Sequence, residues 1–442
     1  MSSALQPATE PLRAELISPR LRVWGVRFGL AITDQGLTSG SGFLLNLLLA
    51  RWLPGEAYGA FAVAFAALLF LSGFHNVLLL EPMSVFGPAD YSHRLVGYFS
   101  AQLKVHAALA AVLSGALLAA GAVMARFGAH RELVVATAGS ALALPLLLLF
   151  WLARRMCYVV HRPLIAVWGS TGYFVFVVIG LFALHADGRL TPFWAFLLMG
   201  AASVIPVLLV FRRLGLFAGT HGVRCPWKPV LRQNWNYGRW LVASTALFSM
   251  ASQTQTYLAA AFLGLSAAGI LRAMQVPSLA MTQVVTAVGL LLLPSMSSDF
   301  GLGRSAQLRK KALFATVFLT AMAAAFTAVL WAFARPIEQL LFGGKFSEFA
   351  WLIPILGLVP VCTALATGLS MALRASQKPH FDLGANAIAA PVGVLTAVIF
   401  IRFWGLGGAA LSLVAGLATY AAVYFYSFER WAGQDQALKA AQ

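Results

Sequence analysis

Few residues in this sequence could do chemistry within an apolar environment, and Asp34 is the most prominent of them. It lies in a long hydrophobic segment with Arg27, Thr38 and Ser41, at spacings of seven, four and three residues. These spacings place the four residues on one face of a helix. An ionisable group within a hydrophobic span is costly unless it has a function or a partner, so Asp34 is a candidate for binding a coupling ion or for tuning the charge of a cavity. The alternative is a structural role, in which hydroxyl groups or Arg27 satisfy the carboxylate.

A second polar stripe lies in the other half of the chain. Arg272, Gln275 and Thr282 follow one another at helical spacing, and Gln253 lies in the preceding hydrophobic segment. A guanidinium group can bind two phosphate oxygens at once, and amide and hydroxyl groups suit sugar hydroxyls. These four residues and Arg27 are therefore the candidate substrate-binding residues. For Arg272 the alternative is extension of the side chain towards the membrane surface.

The motifs of the common catalytic, nucleotide-binding and metal-binding sites are absent. Cys157, Cys225 and Cys362 lie far apart without a Cys-x-x-Cys pair, so they indicate neither a metal site nor a disulfide framework. The sequence has no phosphate-binding loop, no Gly-x-Ser-x-Gly elbow and no His-Glu-x-x-His motif. We therefore predict no catalytic residues, no metal and no cofactor, and we expect that the protein is not an enzyme.

The elements that position these residues must be membrane-spanning helices. Of the 442 residues, 60% are hydrophobic and 10% are charged, whereas soluble domains have about 45–50% apolar and about 25% charged residues. A span needs roughly 20 apolar residues, and about twelve segments meet that requirement. The prediction is an all-α integral membrane protein with about twelve transmembrane helices in two pseudo-symmetric six-helix bundles.

The Lys and Arg residues orient these spans. When the loops are sorted alternately, one side of the membrane receives roughly three times as many basic residues as the other, and both termini lie on the basic side. Basic loops remain in the cytoplasm, so we expect both termini of this multi-pass inner-membrane protein to be cytoplasmic. The net charge of +17 is then largely a consequence of topology, with some attraction to anionic lipids, and no nucleic-acid partner is needed to explain it.

The chain also shows signs of an internal repeat. Leu78–Ser84 in the second predicted span resembles Leu291–Ser297 in the eighth, about 212 residues further on, and ahead of them Leu53 and Gly59 match Leu265 and Gly269 with a shift of two residues. Parallel repeats of this kind are known in transporters. The predicted organisation is a cytoplasmic N-terminal tail (1–22), an N-terminal six-helix lobe (23–216), a cytoplasmic linker (217–240), a C-terminal six-helix lobe (241–428) and a cytoplasmic C-terminal tail (429–442).

Four stretches carry a resemblance to a known family, namely Leu49–Phe61, Leu340–Leu352, Leu373–Pro379 and Gly405–Ala410. Their content and order resemble the polysaccharide transporter family, which comprises the Wzx-type O-antigen and capsule flippases. This family belongs to the multidrug/oligosaccharidyl-lipid/polysaccharide exporter superfamily. The resemblance covers nearly the whole chain after the N-terminal tail.

The resemblance implies two six-helix bundles around a cavity that opens alternately to either side of the membrane. It also implies a cargo, an undecaprenyl-pyrophosphate-linked oligosaccharide used in polysaccharide or lipopolysaccharide biosynthesis. The implied partners are this cargo and membrane lipids, while coupling to H⁺ or Na⁺ and contact with polysaccharide-assembly proteins stay open. Drug exporters of the superfamily often have an acid in the first span, which Asp34 resembles, so a multidrug/cation antiporter is the alternative. A membrane glycan polymerase or ligase is a third reading, which the short predicted outer loops disfavour.

Overall fold

The computed structural model describes residues 19–217, 225–376 and 380–440. Most of the predicted N-terminal tail and part of the predicted linker lie outside these ranges. The described chain is almost entirely helical, and it contains no strand. Its α-helices are α1 (Pro19–Trp52), α2 (Gly55–His75), α3 (Glu81–Asp90), α4 (Leu95–Arg126), α5 (Arg131–Val159), α6 (Pro163–Ala186), α7 (Pro192–Arg213), α8 (Trp227–Leu263), α9 (Leu265–Gly301), α10 (Ser305–Ala332), α11 (Ala334–Phe342), α12 (Leu352–Ala375) and α13 (His380–Ala440).

Eight helical stretches of the described chain are long and apolar enough to cross a membrane. Helices α1, α8 and α9, with 34, 37 and 37 residues, also exceed the roughly 20 residues that a span requires. Gly405, whose φ is 55° and ψ −129°, interrupts α13 and divides it into two long segments. The described residues therefore form twelve long helical segments, and the predicted all-α membrane fold is confirmed.

The connection between α6 and α7 shows how the sequence ends one helix and begins the next. Gly188 has a φ of 65°, a left-handed conformation that glycine adopts without steric cost. Thr191 then caps α7 by accepting a hydrogen bond from the backbone N–H of Trp194 at 3.3 Å. Pro192 occupies the first turn of the helix, where its missing N–H is no loss. Short turns of this type keep successive helices adjacent.

The helices pack as two groups that meet through α1, α2, α8 and α9. In the first group α1 packs on α6, and α5 packs on α7, α4 and α2. In the second group α8 packs on α13, and α12 packs on α9, α10 and α13. Between the groups, α2 contacts both α8 and α9, and α1 contacts α9.

The closest backbone approach between the groups is the crossing of α2 and α9. A Cβ atom added to Gly59 would lie 1.7 Å from the backbone oxygen of Leu265, and one added to Gly269 would lie 2.9 Å from the backbone nitrogen of Gly59. Small residues allow membrane helices to approach this closely. Gly59 and Gly269 are the pair that the sequence repeat matched.

Helix α8 starts at Trp227, within the stretch that the sequence assigned to the linker. Residues 227–240 thus continue without interruption into the helix that follows. The division into a tail, two lobes and a linker, with the boundaries given above, stays a prediction, as does the side of the membrane on which each end lies.

Candidate functional site

Asp34 lies inside the first group of helices, where four hydrogen bonds satisfy its carboxylate. Arg154 on α5 donates from Nη2 to Oδ2 at 2.6 Å and from Nε to Oδ1 at 3.2 Å. The hydroxyl of Tyr158 donates to Oδ2, and that of Ser170 on α6 donates to Oδ1, each at 2.5 Å. The side chain of Asp34 is 0% exposed and that of Arg154 is 13% exposed. We call these four residues the Asp34 cluster.

Local helix geometry explains how the Asp34 cluster forms. Arg154 and Tyr158 are four residues apart on α5, so they project from the same face, and this face meets α1. The guanidinium of Arg154 lies 5.8 Å from the centre of the Phe150 ring, one turn earlier. Arg154 thus has the role that the sequence analysis considered for Arg27, whose side chain lies outside the described residues.

A cavity of about 400 Å³ adjoins this cluster. Arg154, Arg155 and Tyr158 line it from α5. Asp34 neutralises Arg154, whereas no carboxylate oxygen among the described residues lies within 4 Å of the Arg155 guanidinium. Among the described residues, Arg155 is thus the arginine of this cavity that has no carboxylate at contact distance. The other lining residues of the cavity are Ala31, Gln35, Asn76, Leu80 and Trp151.

A larger cavity of about 860 Å³ lies between the two groups of helices. Helix α8 contributes a polar face that includes Thr245, Ser249, Ser252 and Gln253, and the last of these is one of the predicted substrate-binding residues. Asn76 lines both cavities, so they adjoin one another. The remaining lining residues come from α2, the following turn, α3, α8, α12 and α13; they are Leu69, Gly73, Val77, Glu81, Leu241, Ser244, Phe248, Arg374, Asp382, Leu383, Asn386 and Tyr420.

A second ion pair lies on the wall of the large cavity. Nη2 of Arg374 is 3.0 Å from Oδ1 of Asp382. Tyr420 donates a hydrogen bond to the same oxygen at 3.3 Å, and Tyr424 also donates to it. Each group of helices thus contains one aspartate held by an arginine and by at least one tyrosine.

Glu81 differs from Asp34 and Asp382 because no basic group among the described residues lies at contact distance from it. Nδ2 of Asn76 donates a hydrogen bond at 3.2 Å to Oε1 of Glu81. It begins α3 directly after a π-helix, Asn76–Leu80, in which the N–H of Glu81 bonds to the C=O of Asn76. Pro82 has no N–H to offer Leu78, which disfavours regular α-helical bonding at this point. Such π-helical turns occur frequently at functional sites.

Arg272, Gln275 and Thr282, three further predicted site residues, line neither cavity. Nε of Arg272 donates to Oδ1 of Asn46 on α1 at 3.2 Å, and its guanidinium lies 5.5 Å from the centre of the Phe65 ring on α2. Arg272 thus joins α9 to the first group of helices. Gln275 is half-buried, and the hydroxyl of Thr282 bonds to the backbone oxygen of Ser278 within its own helix at 3.0 Å.

Sequence reasoning did not identify Arg154, Arg155, Glu81, Arg374 and Asp382 as site residues. The arginines were counted with cytoplasmic loops because they lie near the ends of apolar segments. Their helices continue past those segments, and the side chains reach inward. A usable signal existed for Glu81, because an acid directly followed by proline within an apolar run is unusual in a span.

The described residues contain no group of three or more His, Cys, Asp or Glu side chains that could hold a metal ion. They do include a buried histidine pair, in which Nε2 of His75 is 3.0 Å from Nδ1 of His106. This pair joins α2 to α4 one residue before the π-helix.

No protein-family model and no curated protein matches the chain, but several solved structures do. The inward-facing structure of a multidrug resistance MATE family transporter of the MOP superfamily matches with a TM-score of 0.75 and 13% identity, over 92% of this chain and 96% of that one. The lipid II flippase MurJ, in an inward closed conformation, matches with a TM-score of 0.68 and 12% identity, over 90% of this chain and 87% of that one.

A third match is a MOP superfamily transporter from Pyrococcus furiosus whose binding pocket is described as having reverse polarity. It has a TM-score of 0.66 and 16% identity, over 94% of this chain and 96% of that one. All three structures are similar to this chain along nearly their whole length. The chain therefore has the fold of the MOP superfamily transporters, in agreement with the superfamily that its sequence resembles.

Proposed function

We propose that the protein is a flippase that moves a lipid-linked oligosaccharide, of the undecaprenyl-pyrophosphate type, across the bacterial inner membrane by alternating access. The product would serve polysaccharide or lipopolysaccharide biosynthesis. The observation that carries the proposal is the pair of adjoining cavities, of which the larger is lined by amide and hydroxyl groups and the smaller by Arg155.

The chemistry of these cavities matches the two parts of such a head group. A pyrophosphate needs cations or dense hydrogen-bond donors when it leaves water, and Arg155 has no carboxylate at contact distance in the part of the chain that the structure describes. The polar face of α8 offers partners for sugar hydroxyls. About 860 Å³ lies within the range of small-molecule sites, so the cavity would hold the first units of the head group while the polyprenyl chain stays in lipid.

The test is restoration of surface polysaccharide in a host that lacks this gene. We expect Arg155→Ala to abolish export and Arg155→Lys to retain part of it. Lysine keeps the positive charge but cannot bind two phosphate oxygens at once as a guanidinium group does. Arg126→Ala, which changes an exposed arginine at the end of α4, is the matched control and should export normally. Normal export by Arg155→Ala at equal protein level would refute the proposed site.

A multidrug/cation antiporter is the second candidate, favoured by the MATE-type fold and by an acid in the first helix. Asp34 is engaged by Arg154, Tyr158 and Ser170, an arrangement that leaves little capacity to bind an organic cation. Drug resistance conferred by the wild-type protein, and lost in Asp34→Asn at equal expression, would establish this alternative instead. A glycan polymerase or ligase is disfavoured by the short connections between helices.

A further inference from the structure

Glu81 lies where the two cavities and the two groups of helices meet. It lines the large cavity, and its partner Asn76 lines both. No basic nitrogen among the described residues is within 4 Å of its carboxylate. Of the three acids at the cavities, Asp34 and Asp382 are tied to arginines at 2.6 and 3.0 Å, so Glu81 is the one that remains available.

The charged groups around Glu81 come from both halves of the chain. Arg374 on α12 and Asp382 on α13 line the same cavity as Glu81, and Arg155 on α5 lines the adjoining one. Tyr237 on α8 is also close enough to interact with Glu81 electrostatically. Arg374 forms an ion pair with Asp382, whereas Arg155 has no carboxylate at contact distance within the described ranges. Glu81 is therefore the internal counter-ion of a site that is otherwise basic.

An anion that enters this site changes the balance of charge around Glu81. Phosphate oxygens placed near Arg155 and Arg374 would stand close to an ionised carboxylate in a region with little water, and like charges at such distances repel strongly. The repulsion is removed if Glu81 binds a proton. Protonation of Asp34 or Asp382 would not serve the same purpose, because it would break an existing ion pair.

We propose that Glu81 takes up a proton when a pyrophosphate head group binds between Arg155 and Arg374, so that anion binding and proton binding are coupled in this protein. The inference rests on the proposed function, and it adds the proton as a co-ligand with a defined acceptor. No covalent step is involved. The proton comes from the solvent on the side to which the cavity is open, and it leaves when the head group is released.

Calorimetry of the full-length protein in nanodiscs tests the coupling, with undecaprenyl pyrophosphate as the probe and undecaprenol as the uncharged comparison. Titrations at pH 7 in two buffers of different ionisation enthalpy give the number of protons bound with the ligand. We expect the wild type to take up a substantial fraction of one proton. Glu81→Gln should take up none and should bind about tenfold more tightly at pH 8, because it lacks the competing charge.

The pH dependence supplies an independent measurement that requires no variant. If a proton binds with the anion, the Kd of the wild type must fall as the pH falls, by up to tenfold per pH unit. In Glu81→Gln this dependence should be lost, and its Kd should approach that of the wild type at low pH. Glu132→Gln, at the exposed start of α5, is the matched control and should behave as the wild type.

The outcomes separate this inference from the proposed function. Binding of undecaprenyl pyrophosphate without proton uptake, or with the same uptake in Glu81→Gln, overturns the role of Glu81 and leaves the flippase proposal standing. Equal binding of undecaprenol and undecaprenyl pyrophosphate, or no binding of either, overturns both. Binding of inorganic pyrophosphate with the same uptake supports the charge mechanism and shows that the lipid adds only affinity.

Discussion

At the scale of single residues, Asp34 illustrates how a buried charge is maintained in this fold. The carboxylate accepts two hydrogen bonds from Arg154 and one each from Tyr158 and Ser170. Removing two charges from water is expensive, and a buried pair persists only when such additional bonds satisfy it. The Asp34–Arg154 pair and its two hydroxyl partners therefore join α1, α5 and α6.

We expect Asp34→Asn to destabilise the protein by about 3–5 kcal/mol, because it leaves Arg154 buried without a counter-ion. Arg154→Gln should have a similar effect. In the double variant Asp34→Asn/Arg154→Gln no unpaired charge remains, and the two losses should overlap by about 1–3 kcal/mol. The stabilities of the wild type, the two single variants and the double variant are compared by thermal unfolding in the same detergent. Strictly additive losses would contradict a direct, structurally important pair.

The sequence identified Asp34 but not its partners, and the reason is physical. A lone acid in an apolar run can be recognised from the sequence because its neighbours in the sequence already show that its desolvation is unfavourable. Its compensation comes from Arg154, 120 residues away, and no local pattern distinguishes an arginine that reaches inward from one that ends a span. For the same reason Arg272 was expected at a cavity, whereas it bonds to Asn46 on α1.

At the scale of elements, the crossing of α2 and α9 sets how closely the two groups of helices approach. Gly59→Ala places a methyl group 1.7 Å from the backbone oxygen of Leu265, and backbone cannot move aside as a flexible side chain can. Overpacking of this kind costs about 1–3 kcal/mol or more. We expect a lower unfolding temperature and weaker export for this variant.

Gly115→Ala is the matched control for this substitution, since Gly115 lies in the exposed part of α4 with no atom within 4 Å of an added Cβ. Alanine favours helix over glycine by about 0.5–1 kcal/mol, so this variant should be as stable as the wild type or slightly more stable. Equal stability of Gly59→Ala and Gly115→Ala would show that α2 and α9 can move apart at the crossing without loss of stability.

The π-helix at Asn76–Leu80 determines the direction in which Glu81 points. Pro82→Ala restores an N–H that can bond to the C=O of Leu78, which favours regular α-helical register. A shift of one residue turns the following side chains by about 100°, so Glu81 should leave the cavity. We expect loss of polysaccharide export with little loss of protein. Pro391→Ala, an exposed proline within α13, is the control; export by Pro82→Ala at the control level would contradict a role for the π-helix.

The elements were predictable to different degrees. Apolar runs located the twelve long segments because the bilayer imposes a minimum length on each. The short helices α3 and α11 and the π-helix were not predicted, since they depend on proline positions and on packing rather than on hydropathy. Helices α1, α8 and α9 extend well beyond the apolar runs, as the start of α8 within the predicted linker shows.

At the scale of the whole molecule, alternating access requires that one end of the cavity is closed while the other is open. A contact that fits the closed end joins Lys345, in the turn after α11, to the end of α1. Its Nζ donates to the backbone oxygen of Ala50 at 2.8 Å and also to that of Leu53. Partial burial lowers the pKa of Lys345 below its ordinary value. A cation at the last carbonyls of a helix is well placed, because it satisfies unpaired acceptors and complements the helix dipole.

The large cavity lies towards the opposite end of the helices. Glu81, Arg374 and Asp382 line it near loops that the sequence assigns to the cytoplasm, whereas Lys345 belongs to a loop assigned to the outside. Under the proposed function, this arrangement corresponds to the state that is closed on the predicted outer side. Opening on that side must separate Lys345 from α1, so this contact should favour the closed state.

We therefore expect Lys345→Ala to shift the population towards outward opening. Hydrogen bonds from a charged donor contribute about 1.5–3 kcal/mol. Because Lys345 is exposed, solvent reduces its contribution to about 1 kcal/mol, which corresponds to roughly a fivefold shift in the equilibrium between the closed and the open state. The reporter is a Leu53→Cys substitution made after the three native cysteines, Cys157, Cys225 and Cys362, have been replaced. The rate at which a membrane-impermeant reagent labels the new cysteine measures this opening. Lys104→Ala, at an exposed position on α4, should leave that rate unchanged. If Lys345→Ala also leaves it unchanged, the Lys345 contact does not hold this end closed, and the packing of α1 and α2 against α9 is sufficient.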